Sequence, residues 1–220
     1  MQDPTAPLPA RWTTAPGYAE LALGSLSARI DPSRPEAGLR LVTRGGDLVA
    51  AGVLGASPPM GSFSPSIEVF AREEDLVAVY PASTDYPFRT TLQWSGYLDS
   101  GWHRITLTLS LQTDLLDARP ELVLSSPAED VPECLAGGLW VIVRDSDKTV
   151  AIAPHPSDAV DATVRVVGDA CIVGLSPPFL EKGVIRRCRV AAFVATDKAN
   201  DHRLAAALAA FDATPPPLTA

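Results

Sequence analysis

The sequence predicts an all-β protein: an antiparallel β-sandwich of about a dozen strands carrying one C-terminal helix. Three observations predict it. Apolar and polar residues alternate with a period of two through most of the 220 residues. The alternating runs are short and recur between clusters of Pro, Gly, Asp and Ser. Only one stretch, near the C-terminus, shows the wider apolar stripe of an amphipathic helix.

Taken in chain order, residues 1–17 form a Pro-rich arm, and a single domain is expected from 18 to 213 with no composition shift to mark a linker inside it. Strands are predicted over 19–30, 39–42, 48–54, 67–71, 76–80, 88–97, 102–113, 122–125, 139–143, 149–153, 160–167, 170–174 and 183–195. The breaks carry turn chemistry: "TRGGD" at 43–47, "AREED" at 71–75, "LDSG" at 98–101 and "RDSDK" at 144–148 hold the residues that tolerate tight reversals. A helix is expected over 200–212, capped by Asn200 or Asp201, with Leu204, Leu208 and Phe211 on one stripe and the Pro-rich tail 214–220 ending it.

Composition narrows the function. A net charge of −8, with Lys148, Lys182 and Lys198 as the only lysines, leaves no broad cationic face for phosphate, so no nucleic-acid partner is expected. The longest uncharged stretch, 48–67, is interrupted by Gly52, Gly55, Pro58, Pro59, Gly61 and Pro65, so no membrane span is expected either. The start does not read as a secretory signal. Cys134, Cys171 and Cys188 are odd in number and far apart, which points to reduced thiols and a cytoplasmic location.

The motifs of nucleotide loops, nucleophile elbows and zinc sites are missing, and the reading implies no cofactor and no metal. The carboxylates of "EED" (73–75), Asp114 with Asp117 and Asp145 with Asp147 fall in predicted turns, where local hydrogen bonding explains them. Two histidines are the candidate catalytic bases. His155, in "APHPSDA", has Ser157 and Asp158 beside it, a spacing suited to a turn. His103 opens a strand, on the face of Ile105, Leu107 and Leu109, at the rim of a sheet.

The most informative constellation is a hairpin of "FRTTLQWSGY" (88–97) and "WHRITLTLSLQT" (102–113). Pairing Tyr97 with Trp102 sets Ser95 opposite Arg104, Gln93 opposite Thr106, Thr91 opposite Thr108 and Arg89 opposite Ser110. One face is then apolar and supplies core. The other presents Arg89, Gln93, Tyr97, Trp102 and Arg104 among hydroxyls, a surface suited to sugars: flat rings for CH-rich faces, and amide and guanidinium groups for hydroxyls. It is equally the outer face of an ordinary antiparallel sheet.

In "EKGVIRRCRV" (181–190), alternation puts Arg186 on the side of Cys188 and Val190, facing the core and paired with a carboxylate or reaching to the rim. Arg187 and Arg189 are expected to point outward into solvent.

The phrases "LSLQTDLLDARPEL" (109–122), "HPSD" (155–158) and "FLEKGVIRR" (179–187) resemble those of a set of uncharacterised bacterial β-sandwich proteins. The opening "LGSLSARIDPSRPEAGLRLVTRGGDLVAAG" (23–52) is similar to the strand, turn, strand pattern of galactose-mutarotase-like supersandwich domains. That resemblance implies a sugar ligand, and a histidine with a glutamate as its catalytic pair; His103 and His155 are the histidines on offer, with no glutamate placed beside either. Three readings stand. The protein is a non-catalytic module binding a carbohydrate or a protein partner, an epimerase-like or lyase-like enzyme on a sugar with His103 or His155 as base, or a structural subunit whose edge strand pairs with another copy.

Overall fold

A computed structural model of the chain describes residues 10–99, 101–128, 132–135, 138–145, 147–196 and 201–215. These are 56% strand and 9% helical, as the two-residue period requires. The elements run β1 (Arg11–Ala15), β2 (Tyr18–Leu23), β3 (Leu26–Ile30), β4 (Leu39–Thr43), β5 (Leu48–Val53), β6 (Gly55–Ser57), β7 (Glu68–Arg72), β8 (Asp75–Tyr80) and β9 (Arg89–Asp99). They continue with β10 (Trp102–Gln112), β11 (Leu122–Pro127), β12 (Glu133–Leu135), β13 (Leu139–Arg144), β14 (Thr149–Pro154), β15 (Ala162–Val167), β16 (Ala170–Leu175), β17 (Ile185–Ala195) and α1 (Asp201–Asp212).

All the pairings are antiparallel, in three sheets. Strands β1 to β5 form a meander in sequence order. Eight strands form the large sheet, ordered β12-β13-β14-β17-β10-β9-β8-β7, and four form a small one, ordered β15-β16-β11-β6. The strand count among the described residues, seventeen, exceeds the expected dozen for local reasons. The run 19–30 is two strands, because Gly24 at φ 58° turns the chain where a side chain would be strained. Strands β6 and β12 have three residues each, too few to display a period. Arg11–Ala15, assigned to the Pro-rich arm by its composition, pairs with β2 and buries Trp12.

One face of the large sheet meets the two smaller sheets. Leu92 and Trp94 of β9, Ile105, Leu107 and Leu109 of β10, and Cys188, Val190, Ala192 and Val194 of β17 join Leu21, Leu41, Leu124 and Val173 in one core. The opposite, outer face has its own smaller core. Trp102, Leu139, Val141, Ala151, Ala153, Ala191, Phe193 and Ala195 pack there against Leu204, Ala207, Leu208 and Phe211 of α1. Alanines at 151, 153, 191 and 195 leave room on the sheet for a helix to approach, and Phe211 fills the centre. The cap expected at Asn200 or Asp201 falls outside the described side chains, as does the tail beyond Pro215.

Candidate functional site

The β9–β10 hairpin forms as expected but two residues out of the predicted register. Trp102 pairs with Asp99, Arg104 with Tyr97, Thr106 with Ser95, Thr108 with Gln93, Ser110 with Thr91 and Gln112 with Arg89. Pairing of Asp99 with Trp102 leaves two residues between the strands, where pairing of Tyr97 with Trp102 leaves four; Ser100 lies outside the described residues. Gly101 has φ 81°, a backbone conformation that strains an L side chain, so the turn favours glycine there; the guanidinium of Arg203 on α1 lies against it. A shift of two residues keeps every side chain on its predicted face.

The five predicted ligand residues therefore share the outer face, but they do not share an environment. Trp102 is 2% exposed beneath α1, which corrects the expectation of an exposed aromatic platform. Arg104, expected to reach a ligand, is 5% exposed. Its Nε donates to Asp99 at 2.5 Å and its Nη1 to Thr106 Oγ1 at 3.0 Å, and its guanidinium lies 4.2 Å from the ring centre of Tyr97 and 5.4 Å from that of Phe211. Tyr97 is half-exposed at the helix margin, holding Arg104 from outside. Arg89 is exposed and Gln93 half-buried, both clear of the helix contacts.

The sheet rows that run past Arg89 and Gln93 make up the open half of the face. Cross-strand pairs align Thr108, Gln93, Val77 and Phe70 in one row, and Arg187, Ser110, Thr91, Val79 and Glu68 in the next. A third row holds Ile185, Gln112 and Arg89. Arg89, Thr91, Ser110, Gln112 and Ile185 line a groove there. Phe70, on the edge strand β7, is 40% exposed and supplies the aromatic ring that Trp102 does not. Its signal was the alternation of "IEVFAR" (67–72), legible only once β7 is paired to β8 in the right register.

The three arginines of β17 separate as alternation requires, but the outward pair does not share one fate. Arg186 pairs with Asp161 at 2.7 Å at the rim, as expected. Arg187 is half-buried in the open half. Arg189, expected in solvent, is 5% exposed, because the chain after α1 folds over it. Its Nη1 donates to Thr214 Oγ1 at 3.0 Å and to the Pro215 carbonyl at 2.9 Å, its Nη2 to His155 Nδ1 at 2.9 Å and to Ser157 Oγ at 3.2 Å. Its backbone N–H donates to Asp158 Oδ2 at 2.9 Å.

His155 thus belongs to the clamp on the helix. Arg189 and the Ser157 N–H both point donors at Nδ1, so the neutral ring carries its proton on Nε2, and its edge meets Phe211 with ring centres 4.9 Å apart. Burial first, and then the Arg189 guanidinium, hold its pKa below the usual histidine value. Ser157 and Asp158 serve the local turn, as their spacing predicts. His103 is 5% exposed on the core side; its Nδ1 donates to the Val194 carbonyl at 3.2 Å, and Nε2 faces Ser25 Oγ at 3.2 Å. Neither histidine stands on the open half. Among the described residues no three metal-ligating side chains are grouped, and no helix is long and apolar enough to cross a membrane.

No protein-family model matches this chain, and no curated protein matches it in sequence. Solved structures match it in fold. A heparan sulfate lyase HepC mutant from Pedobacter heparinus superposes with a TM-score of 0.51 at 9% identity, over 90% of this chain and 38% of that one. A putative kojibiose phosphorylase from human microbiome superposes with a TM-score of 0.51 at 9% identity, over 93% of this chain and 36% of that one. The chain spans little more than a third of the length of these proteins, and at such identity the likeness is one of fold. This protein is accordingly a β-sandwich whose architecture is similar to a β-rich portion of sugar-processing enzymes.

Proposed function

We propose that the protein binds a carbohydrate, without catalysis, on the open half of the outer face of its large sheet. The observation that carries this reading is the division of that face. Helix α1 seals one half, while the other leaves a strip of Thr91, Gln93, Thr108, Ser110 and Gln112 uncovered, between Arg89 and Arg187 on flanking strands and Phe70 at the edge. Hydroxyls and amides match sugar hydroxyls as both donor and acceptor, and an exposed ring packs against the CH face of a pyranose. The likeness of the fold to parts of sugar-processing enzymes, and the resemblance of residues 23–52 to galactose-mutarotase-like domains, support a sugar as the ligand.

Screening a glycan array and titrating the hits by calorimetry tests the reading. Binding is expected to weaken at least ~10-fold, about 1.4 kcal/mol, in Phe70→Ala and in Gln93→Ala with Gln112→Ala. Substitution of Tyr97, which holds Arg104 at the helix margin, should change affinity little. Absence of any glycan hit, or hits indifferent to Phe70 and Gln93, would overturn it.

A further inference from the structure

We infer that the protein pairs with a second copy of itself through the edge strand β7, the two β7 strands running antiparallel about a two-fold axis at Phe70. The inference stands apart from the carbohydrate reading, because pairing edge to edge leaves the outer face of the sheet uncovered.

Strand β7 ends the large sheet and is bonded to β8 on one side only. Two residues, Glu73 and Glu74, separate Arg72 from its partner Asp75, and Glu73 has φ 53°, the geometry of a tight hairpin closed by a hydrogen-bonded pair. By alternation Glu68, Phe70 and Arg72 bond to β8, while the N–H and C=O groups of Val69 and Ala71 point away from the sheet. None of these outward groups bonds to another described segment. Strand β1 is tied to the turn end of this edge, where the Trp12 N–H donates to the Glu73 carbonyl, yet Ile67, Val69 and Phe70 remain 62%, 39% and 40% exposed.

An open edge is ordinarily guarded by lysine, proline, a bulge or inward-pointing charge. Strand β7 carries instead "EVFAR" (68–72), whose charges complement those of its own reverse. With Phe70 opposite the partner's Phe70, Val69 meets the partner's Ala71 in a hydrogen-bonded pair, and Glu68 meets the partner's Arg72. The two-fold axis repeats each of these contacts. Glu68, Phe70 and Arg72 then occupy the non-hydrogen-bonded positions, where side chains on facing strands stand closest. Sliding the register by two residues sets a charge against the partner's Phe70 instead. Both charges are exposed and neither forms an ion pair among the described residues; Asp75, opposite Arg72 on β8, is engaged by Ser95 Oγ. Strand β12, at the other end of the same sheet, has three residues, too few for a comparable ladder.

Sedimentation of the full chain across micromolar concentrations tests the inference. The native chain should show a monomer–dimer equilibrium that weakens as salt is raised, since the charge pairs lie in solvent. Glu68→Arg and Arg72→Glu each set like charges against one another across the axis, and each should weaken self-association at least ~10-fold. Mixed in equal amounts, the two variants should associate with one another at native affinity, because each supplies the charge that the other lacks. Glu68→Arg combined with Arg72→Glu should likewise restore the homodimer. Both substituted side chains are exposed, and an unchanged circular dichroism spectrum separates loss of the dimer from loss of the fold. A native chain that stays monomeric throughout, a dimer that persists in both single variants, or single variants that do not associate on mixing would overturn the inference.

Discussion

The two halves of the outer face start from the same hairpin and end as different surfaces. Strands β10 and β17 cross both, with strict alternation throughout, yet Trp102, Arg104, Arg189 and Phe193 are buried while Thr108, Ser110, Gln112 and Arg187 are only partly covered. What differs is the partner. Alanines and aromatics on one half let α1 settle, and the segment after the helix then closes over Arg189. The other half interposes threonine, serine, glutamine and arginine between its apolar side chains Val77, Val79, Phe70 and Ile185, which breaks up the apolar area that a helix could bury, and that half stays open. Period therefore decides which side of the sheet a residue faces, whereas composition along the strand decides whether anything covers it.

The largest effect should come from breaking the covered half at its centre. Phe211 is wholly buried between His155 and Phe193, and Phe211→Ala should cost ~3–5 kcal/mol in urea unfolding. A loss below about 1 kcal/mol would mean that α1 contributes little to holding the sheet together. Next come the two neighbouring arginines. Arg189→Ala removes charge-assisted hydrogen bonds to Thr214, Pro215 and His155 and should cost roughly 1.5–3 kcal/mol, against at most about 0.5 kcal/mol for Arg187→Ala on the open half. Arg186, whose pair with Asp161 lies at the rim with the arginine side chain 36% exposed, should cost only ~0–1 kcal/mol, less than a buried pair would.

Acid should loosen the covered half selectively. The folded pKa of His155 lies below its unfolded value near 6.5, so the unfolded chain binds more protons in that range. The stability it contributes is complete above the unfolded pKa and is lost as pH falls through the folded one, where an imidazolium would face the Arg189 guanidinium. Asp212 has the opposite sign: burial raises its pKa, so its contribution is lost as pH rises through that raised value. Stability measured from pH 7 to pH 5 should fall in the native chain and flatten in His155→Gln; an unchanged slope in that variant would assign the effect elsewhere. The smallest effect on stability belongs to the open half. Thr91→Ala, Gln93→Ala and Gln112→Ala should each stay within about 0.5 kcal/mol in unfolding, and any loss in the glycan titration then reports binding alone.

Much of this architecture could be read before any coordinates. The face assignments of β9, β10 and β17 follow from alternation, because a side-chain period of two does not depend on the neighbouring strand. They survived an error of two residues in the register of the hairpin for the same reason. The helix from its stripe of Leu204, Leu208 and Phe211 and the turn role of Ser157 and Asp158 were equally local, resting on residues near one another, and the side of β17 taken by Arg186, where it meets Asp161 at the rim, follows from the same alternation.

Sequence by itself thus determined the β class, the short strands, the sidedness of each strand and the single helix, since these depend on backbone geometry and on spacing along one chain. Only the tertiary structure decided where α1 lies. Nothing in "DHRLAAALAAFDA" specifies which of the available apolar surfaces it will cover, and that choice buried Trp102 and Arg189, tied His155 to the clamp and left Phe70 as an exposed ring at the sheet edge, in the row of Gln93 and Val77. Burial is a property of what arrives on the other side of a face, a non-local fact set by shape and apolar area, and the candidate site is what remained when the helix had taken its half.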